Sequence, residues 1–161
     1  MAPPHLTLRP FAEQDALALH PIFADPEAMR YWSTPPHACL AETQAFVAAT
    51  MEAAAAGEGD DQVVLLDGQV IGKAGLWDNE EIGFILARRF WGQGLARRAV
   101  ELVIARARAR GAARITADVD PRNLASIGLL TRLGFVRTGG AEATIKVGET
   151  WADSVYFELL L

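Results

Sequence analysis

The residues best suited to chemistry lie in one stretch, Glu81-Ile-Gly-Phe-Ile-Leu-Ala-Arg-Arg-Phe-Trp-Gly-Gln-Gly-Leu-Ala-Arg-Arg98. Glu81 to Ala87 reads as a buried strand, the residues up to Gly94 as a short loop, and Gly94 to Ala109 as a helix. Loop amides from Gly92, Gln93, Gly94 and Leu95 then converge at a helix N-terminus, where oriented N–H groups and the helix dipole favour an anion. Arg88 and Arg89 enter the loop, and Arg97 and Arg98 leave it. This combination suits a pyrophosphate, with the strand aiming something reactive along it. Two nucleotide motifs fail here. The dinucleotide fingerprint needs a third glycine where Arg97 stands, and the phosphate loop of NTPases needs a lysine that this loop lacks. A bare Gly-x-Gly is often only a turn; the strand before it, the helix after it and the flanking arginines give it weight.

A second polar pair follows another strand-like run. Arg114 to Val119 alternates, with Ile115, Ala117 and Val119 on one face, and Asp120-Pro-Arg-Asn123 leads into a helix reaching about Leu133. Asn123 and Ser126 read structurally as an N-cap with a polar residue in the first turn.

These groups need a frame to position them, and the rest of the chain supplies it. At 161 residues and half hydrophobic, it is sized for one globular domain, residues 1–161. Leu6 to Arg9 reads as a first strand. Residues 13–23 read as a short helix with Leu17, Leu19 and Phe23 inward and an interruption at Pro21. A helix from about Ala38 to Ala56 carries Leu40, Phe46, Val47 and Met51 and stops at Gly57. Gly57-Glu-Gly-Asp-Asp61 reads as an exposed acidic loop. Two strand-like runs around Asp67-Gly68 signal a hairpin. Phe135 to Thr138 and Trp151 to Leu161 read as closing strands, with Gly139 to Thr150 ambiguous between them. The order β-α-α-β-β-β-α-β-α-β-β describes one α/β domain with a mixed sheet.

Charge divides unevenly along this frame. Residues 88–137 carry +8, with eleven arginines, whereas residues 1–87 carry −10 and residues 138–161 carry −3. A polyanionic ligand suits the basic part, and a cationic one the acidic part. Arg106, Arg108 and Arg110 lie beyond the first helical turn and read equally as solvated helix-face residues. Cys39 stands alone, so no intrachain disulfide forms, and no Cys/His cluster has zinc spacing. No segment has the apolar length of a membrane span, and the N-terminal residues lack the plan of a secretory signal. A cytoplasmic setting is the expectation.

Arg89-Phe-Trp-Gly92-Gln-Gly94 resembles the Gln/Arg-x-x-Gly-x-Gly/Ala motif of the GNAT superfamily of N-acetyltransferases. Glu81 to Leu86 resembles its fourth strand, and Asn123-Leu-Ala-Ser126 through Gly134-Phe135 is similar to the element after its fifth. Leu8-Arg9-Pro10 and Trp151-Ala-Asp-Ser-Val155 resemble the RimJ/RimL-like branch, which acetylates ribosomal-protein N-termini. The resemblance implies a GNAT fold with a mixed, mostly antiparallel sheet of about seven strands and about four helices, splayed between strands four and five. It implies acetyl-coenzyme A as co-substrate, no metal, and a primary amine as acceptor. Leu86, Arg89, Gly92, Gln93, Gly94, Leu95, Asn123 and Ser126 would contact the coenzyme, and Glu81 would take the amine proton. Six residues of strand span about 16 Å, which suits the thiol arm; a bulge near Gly83 or Ile85 would open the sheet for it. The superfamily's proton-donating tyrosine falls at Leu130 here, leaving Ser126, Tyr156 or a water for the departing thiolate. Tyr31, Trp32 and Trp77 are candidate walls of the acceptor pocket.

Two readings from other classes stand beside this one. A coenzyme A-binding sensor without catalysis would keep the same glycines and Asn123. A nucleic-acid-binding protein would use the arginines, but no groove-reading motif accompanies them and the net charge of −5 opposes it. Neither nucleic acid nor membrane is an expected partner. The apolar closing strand would serve a homodimer by pairing across an interface.

Overall fold

A computed structural model describes all 161 residues. The strands are β1 (Leu6–Pro10), β2 (Gly59–Leu66), β3 (Gln69–Trp77), β4 (Glu81–Leu86), β5 (Arg114–Val119), β6 (Val136–Val147) and β7 (Thr150–Leu160). The helices are α1 (Asp15–Phe23), α2 (Leu40–Ala55), α3 (Leu95–Ala109) and α4 (Leu124–Arg132). All seven strands join one sheet in the order β1-β2-β3-β4-β5-β7-β6. Every neighbouring pair is antiparallel except β4 and β5, which α3 connects in parallel.

Strand alternation divides the sheet's two faces between two cores. Ile82 and Leu86 of β4 pack with Ala99, Val100 and Val103 of α3 and Leu130 of α4. Ile85 turns the other way, to Leu19 and Phe23 of α1 and Val47 of α2. The sheet thus lies between two helical layers, and along β4 and β5 a residue's face follows from its parity.

Several expectations are corrected here. The exposed loop at 57–61 is in fact the start of β2, and Asp60 is buried, with 6% of its surface exposed. A buried carboxylate needs partners, and Asp60 finds them in Arg106 at 2.8 Å and Arg110 at 2.9 Å, one turn apart on α3. Those two arginines are therefore committed to the fold. Burial raises the Asp60 pKa, but the two guanidiniums outweigh it and hold the carboxyl below its ordinary value.

Helix α1 continues through Pro21, and Leu17 is exposed rather than inward. Pro21 lacks the N–H that would bond Leu17, but both residues are on the solvent side, where water can serve that carbonyl. Met51 is likewise exposed, on the outer side of α2. The ambiguous segment 139–150 is mostly strand, held by pairing with β7 across two register irregularities. β7 has β5 on one side and β6 on the other, so the closing strand has no free edge for a dimer. The Asp67-Gly68 hairpin forms as expected, with both φ angles positive, 50° and 83°.

Candidate active site

The central feature is a gap. β4 and β5 pair only at Glu81 and Thr116, where the Thr116 amide donates to the Glu80 carbonyl at 2.9 Å. Beyond that point no β4 residue pairs with β5, so the two strands diverge toward the 88–94 loop. No bulge in β4 creates the opening: its register with β3 runs unshifted from Glu81 to Leu86. The expectation of a bulge near Gly83 or Ile85 is therefore corrected. The sheet splays because β5 pairs along its other edge with β7 and leaves β4 after one contact.

At the wide end, the loop is set by backbone conformation. Arg88–Phe90 make one 3₁₀ turn, and Gly92 and Gly94 take φ of 70° and 72°. Left-handed backbone here excludes most side chains, and open space lies where each Cβ would stand. Gly94 is the N-cap of α3; no side chain caps it and no acidic residue occupies the first turn. The first-turn amides are left available to an anion. The loop is pinned from within: the Trp91 indole donates to the Leu86 carbonyl and the Gln93 side chain to the Arg89 carbonyl, each at 2.9 Å. Leu95 therefore offers only its main chain, since its side chain is buried in the core, while the Gln93 amide nitrogen is engaged within the loop.

The four flanking arginines are not equivalent. Arg88 pairs with Asp25 at 2.7 Å, Arg97 with Glu101 at 3.0 Å, and Arg98 donates to the Pro4 carbonyl at 3.0 Å. Only the Arg89 guanidinium makes neither an ion pair nor a hydrogen bond within the chain; it rests against the Phe90 ring, 4.8 Å from the centroid. Across the gap, Asn123 caps α4, its Oδ1 accepting from the Ser126 amide at 3.2 Å. The half-buried Ser126 makes no side-chain hydrogen bond within the chain.

At the narrow end the chemistry comes from side chains. Glu81 and Gly83 share the face that looks toward α1 and α2, and so do Thr116 and Asp118 of β5. Glu81, Thr116, Asp118, Thr138 and Tyr156 line a cavity of about 280 Å³. Burial, and secondarily the Asp118 carboxylate, push the Glu81 carboxyl above its ordinary value. Glu81 nonetheless keeps surface open to solvent, as a residue at a cavity rim does. A second cavity of about 290 Å³ contains Tyr31, Trp32, Asp118, Asp120 and Arg122. Asp118 belongs to both. The sequence reading did not single out this residue; the available signal was an acid on β5 at the parity opposite Ile115, Ala117 and Val119.

Tyr31 and Trp32 therefore do stand together beside Asp118. Trp77 does not join them: it is 73% exposed at the end of β3 and lines neither cavity. Trp32 instead stacks with Lys73, whose Nζ is 4.8 Å from the ring centroid. Of the histidines, His20 and His37 both meet the Thr43 hydroxyl, at 2.9 and 2.7 Å, in the packing between α1 and α2. Cys39 is exposed at the start of α2. No helix is long and apolar enough to cross a membrane.

Residues 5–136 match the family model of the acetyltransferase (GNAT) domain. Among curated proteins, an uncharacterized N-acetyltransferase p20 of Bacillus licheniformis is 30% identical over 96% of this chain and 92% of its own. Among solved structures, the ribosomal-protein α-N-acetyltransferase RimL in complex with coenzyme A superposes with a TM-score of 0.87 at 20% identity, covering 97% of this chain and 94% of that one. An acetyltransferase of Salmonella typhimurium that modifies the N-terminal serine of a ribosomal protein gives 0.88 at 19% identity, over 97% and 95%. With its residues 5–136 matched to the family model and a relative 30% identical over most of both chains, the chain belongs to the GNAT family of N-acetyltransferases.

Proposed function

We propose that residues 1–161 act as one domain that moves an acetyl group from acetyl-coenzyme A to a primary amine by direct transfer. The observation that carries this reading is the gap itself: closed at Glu81, open at the Gly92–Gly94 loop, and lined by the main chain between. Acetyl-coenzyme A supplies an activated thioester on an extended arm that ends in phosphates. The chain fits such a ligand. First-turn amides of α3 and the unpaired Arg89 suit the pyrophosphate, Leu86 and Asn123 lie along the arm's route, and no side chain of Gly83 intrudes.

Residues at the narrow end have roles that follow from their surroundings. An ammonium has no lone pair and must lose a proton before it can attack, and Glu81, its carboxyl raised and open to solvent, takes that proton directly or through a water. Asp118 stands on the same face and would hold the cationic amine before that proton leaves. Tyr31 and Trp32 wall the approach. Ser126, with its hydroxyl unused by the fold, returns a proton to the departing sulfur. Cys39, exposed just ahead of α2 and lining neither cavity, is not needed as a covalent carrier.

The test is a panel of glycinamide, spermidine and short peptides beginning with Ser or Ala, scored by thiol release from acetyl-coenzyme A. Amine-dependent release is expected. Tight coenzyme binding with no release for any amine would overturn the reading in favour of a sensor.

A further inference from the structure

Lys73 of β3 is buried, with 6% of its surface exposed, and its ammonium is held on three sides. It donates to Asp61 Oδ2 at 2.9 Å, and the rings of Trp32 and Phe46 flank it with centroids 4.8 and 5.9 Å away. The remaining direction leads over β4. Nζ lies 3.4 Å from the point where a Gly83 Cβ would stand, and Trp32 Cη2 lies 4.0 Å from it. Gly83 and Glu81 are two residues apart on the same face, so the ammonium stands over the face of β4 that carries the proposed base. A purely structural lysine would not need to face the one residue of β4 without a side chain.

We infer that Lys73 is an electrostatic residue of the transfer site: its ammonium polarises the acyl carbonyl and stabilises the negative charge gathering on that oxygen. This rests on the acetyl-transfer reading above. In the step it serves, the amine lone pair forms the new C–N bond while the carbonyl π pair moves onto oxygen. That pair then returns, the C–S bond breaks, and sulfur leaves with its electrons. The proton that the ammonium gives up before attack leaves to solvent by way of Glu81; the proton lost from nitrogen as the C–N bond forms then passes to Glu81, and one is returned to sulfur. Every atom and charge is accounted for without another reactant.

Asp61 does not cancel the effect. It stands on β2, and β3 separates β2 from β4, so the ion pair presents its positive end to Gly83. Two aromatic rings keep water from much of the ammonium, and a charge in such surroundings acts with less screening than at the surface. Asp61 Oδ1 is buried without a hydrogen-bond partner. The carboxylate is therefore not optimised as one half of a closed structural pair, and it orients the ammonium through one oxygen.

The experiment uses Lys73→Met with Asp61→Asn, which removes both charges and avoids leaving a buried carboxylate alone, and Lys73→Arg as the charge-keeping variant. Two readouts are taken: the ¹³C resonance of the thioester carbonyl of bound [1-¹³C]acetyl-coenzyme A, and turnover with the amine panel. The double variant is expected to move the resonance upfield, toward its position in free solution. It should also lower kcat about tenfold with the KM for acetyl-coenzyme A within about twofold, and Lys73→Arg should recover part of both. An unchanged resonance overturns the inference even if kcat falls, because the loss then comes from a displaced Trp32. A Lys73-dependent resonance with no amine turnover in the unsubstituted protein supports the polarising role and overturns the transfer reading. Unchanged resonance with no turnover overturns both.

Discussion

The two ends of the β4–β5 gap are built from different materials. At the wide end the loop is main chain: two glycines at φ of 70° and 72°, uncapped amides of α3, and one unpaired arginine. All of it comes from a few consecutive residues. At the narrow end the side chains around Glu81 come from β5, β6 and β7, and through Asp118 they adjoin Tyr31 and Trp32 from the segment between α1 and α2. A backbone site is as rigid as its φ angles and binds one kind of group. A side-chain site can be altered one residue at a time without disturbing the sheet, which is where a family that shares a donor can diverge in acceptors.

If that division is right, substitutions at the two ends should separate binding from turnover. The largest effect is expected at the narrow end. Glu81→Gln should lower kcat by about 10²- to 10³-fold while the coenzyme Kd changes little, because a positioned base contributes at that level. Steady-state kinetics with calorimetry would check it, and an unchanged rate and acidic limb would remove Glu81 from the mechanism. The mirror experiment is Gly94→Asp. Aspartate tolerates left-handed backbone, as Asp67 and Asp78 do, but here it sets a negative charge where the phosphates belong, and it should weaken acetyl-coenzyme A binding about 100-fold. Loss of kcat alone, at unchanged Kd, would mean that the loop does not hold the donor.

Asp60→Asn probes the scaffold behind both ends. Its guanidinium partners are 42% and 45% exposed, so the loss should be below that of a fully buried pair, about 2 kcal/mol. Thermal unfolding should fall by about 5 °C, with coenzyme affinity retained. The sign of the pH dependence follows from the depressed Asp60 carboxyl. Its stabilising contribution is complete above the ordinary aspartate pKa and disappears as pH falls below that value, through the lowered one. The variant should therefore lose its stability deficit relative to the unsubstituted protein at strongly acidic pH.

The same contrast explains what could be read in the sequence. Gly92, Gly94 and the Asn123 cap are legible because their function depends on local conformation, and the residue type states it. The order of elements is legible because the periodicities are strong. Asp60 was not: beside Gly57 and Gly59 it looks like a solvated turn, and its partners lie 46 and 50 positions later. Their spacing of four on α3 was the one clue, since it sets both on one helix face. Strand β6 was obscured by Gly139, Gly140, Ala141 and Ala143, residues with little intrinsic strand preference; pairing with β7 supplies what propensity lacks. Asp118 and Lys73 acquire meaning only from parity and cross-strand contacts, which exist after the sheet has formed.

A smaller shift tests whether Asp118 and Glu81 sense one another. Burial is the principal cause of the raised Glu81 carboxyl and Asp118 the secondary one, so Asp118→Asn should lower the Glu81 pKa only partly. The base must be deprotonated to work. The acidic limb of the pH–rate profile should therefore move to lower pH. A limb that moves upward, or stays in place while KM for the amine is unchanged, would separate the two carboxylates.

The smallest expected effect marks the boundary of the narrow end. Trp77 pairs with Glu81 in register, yet it is 73% exposed and outside both cavities. A surface side chain with few partners contributes within about 0.5 kcal/mol to stability, so Trp77→Ala should leave the unfolding temperature and kcat/KM nearly unchanged. Trp32→Ala removes a ring that touches Lys73 and walls the second cavity, and it should raise the amine KM about tenfold. If Trp77→Ala raises that KM as much, the acceptor extends past Glu81 over the end of β3, and its contacts reach beyond the two cavities. If neither aromatic matters, the amine is recognised by charge alone, through Asp118 and Glu81, and a small compact amine becomes the better description of the acceptor than a peptide.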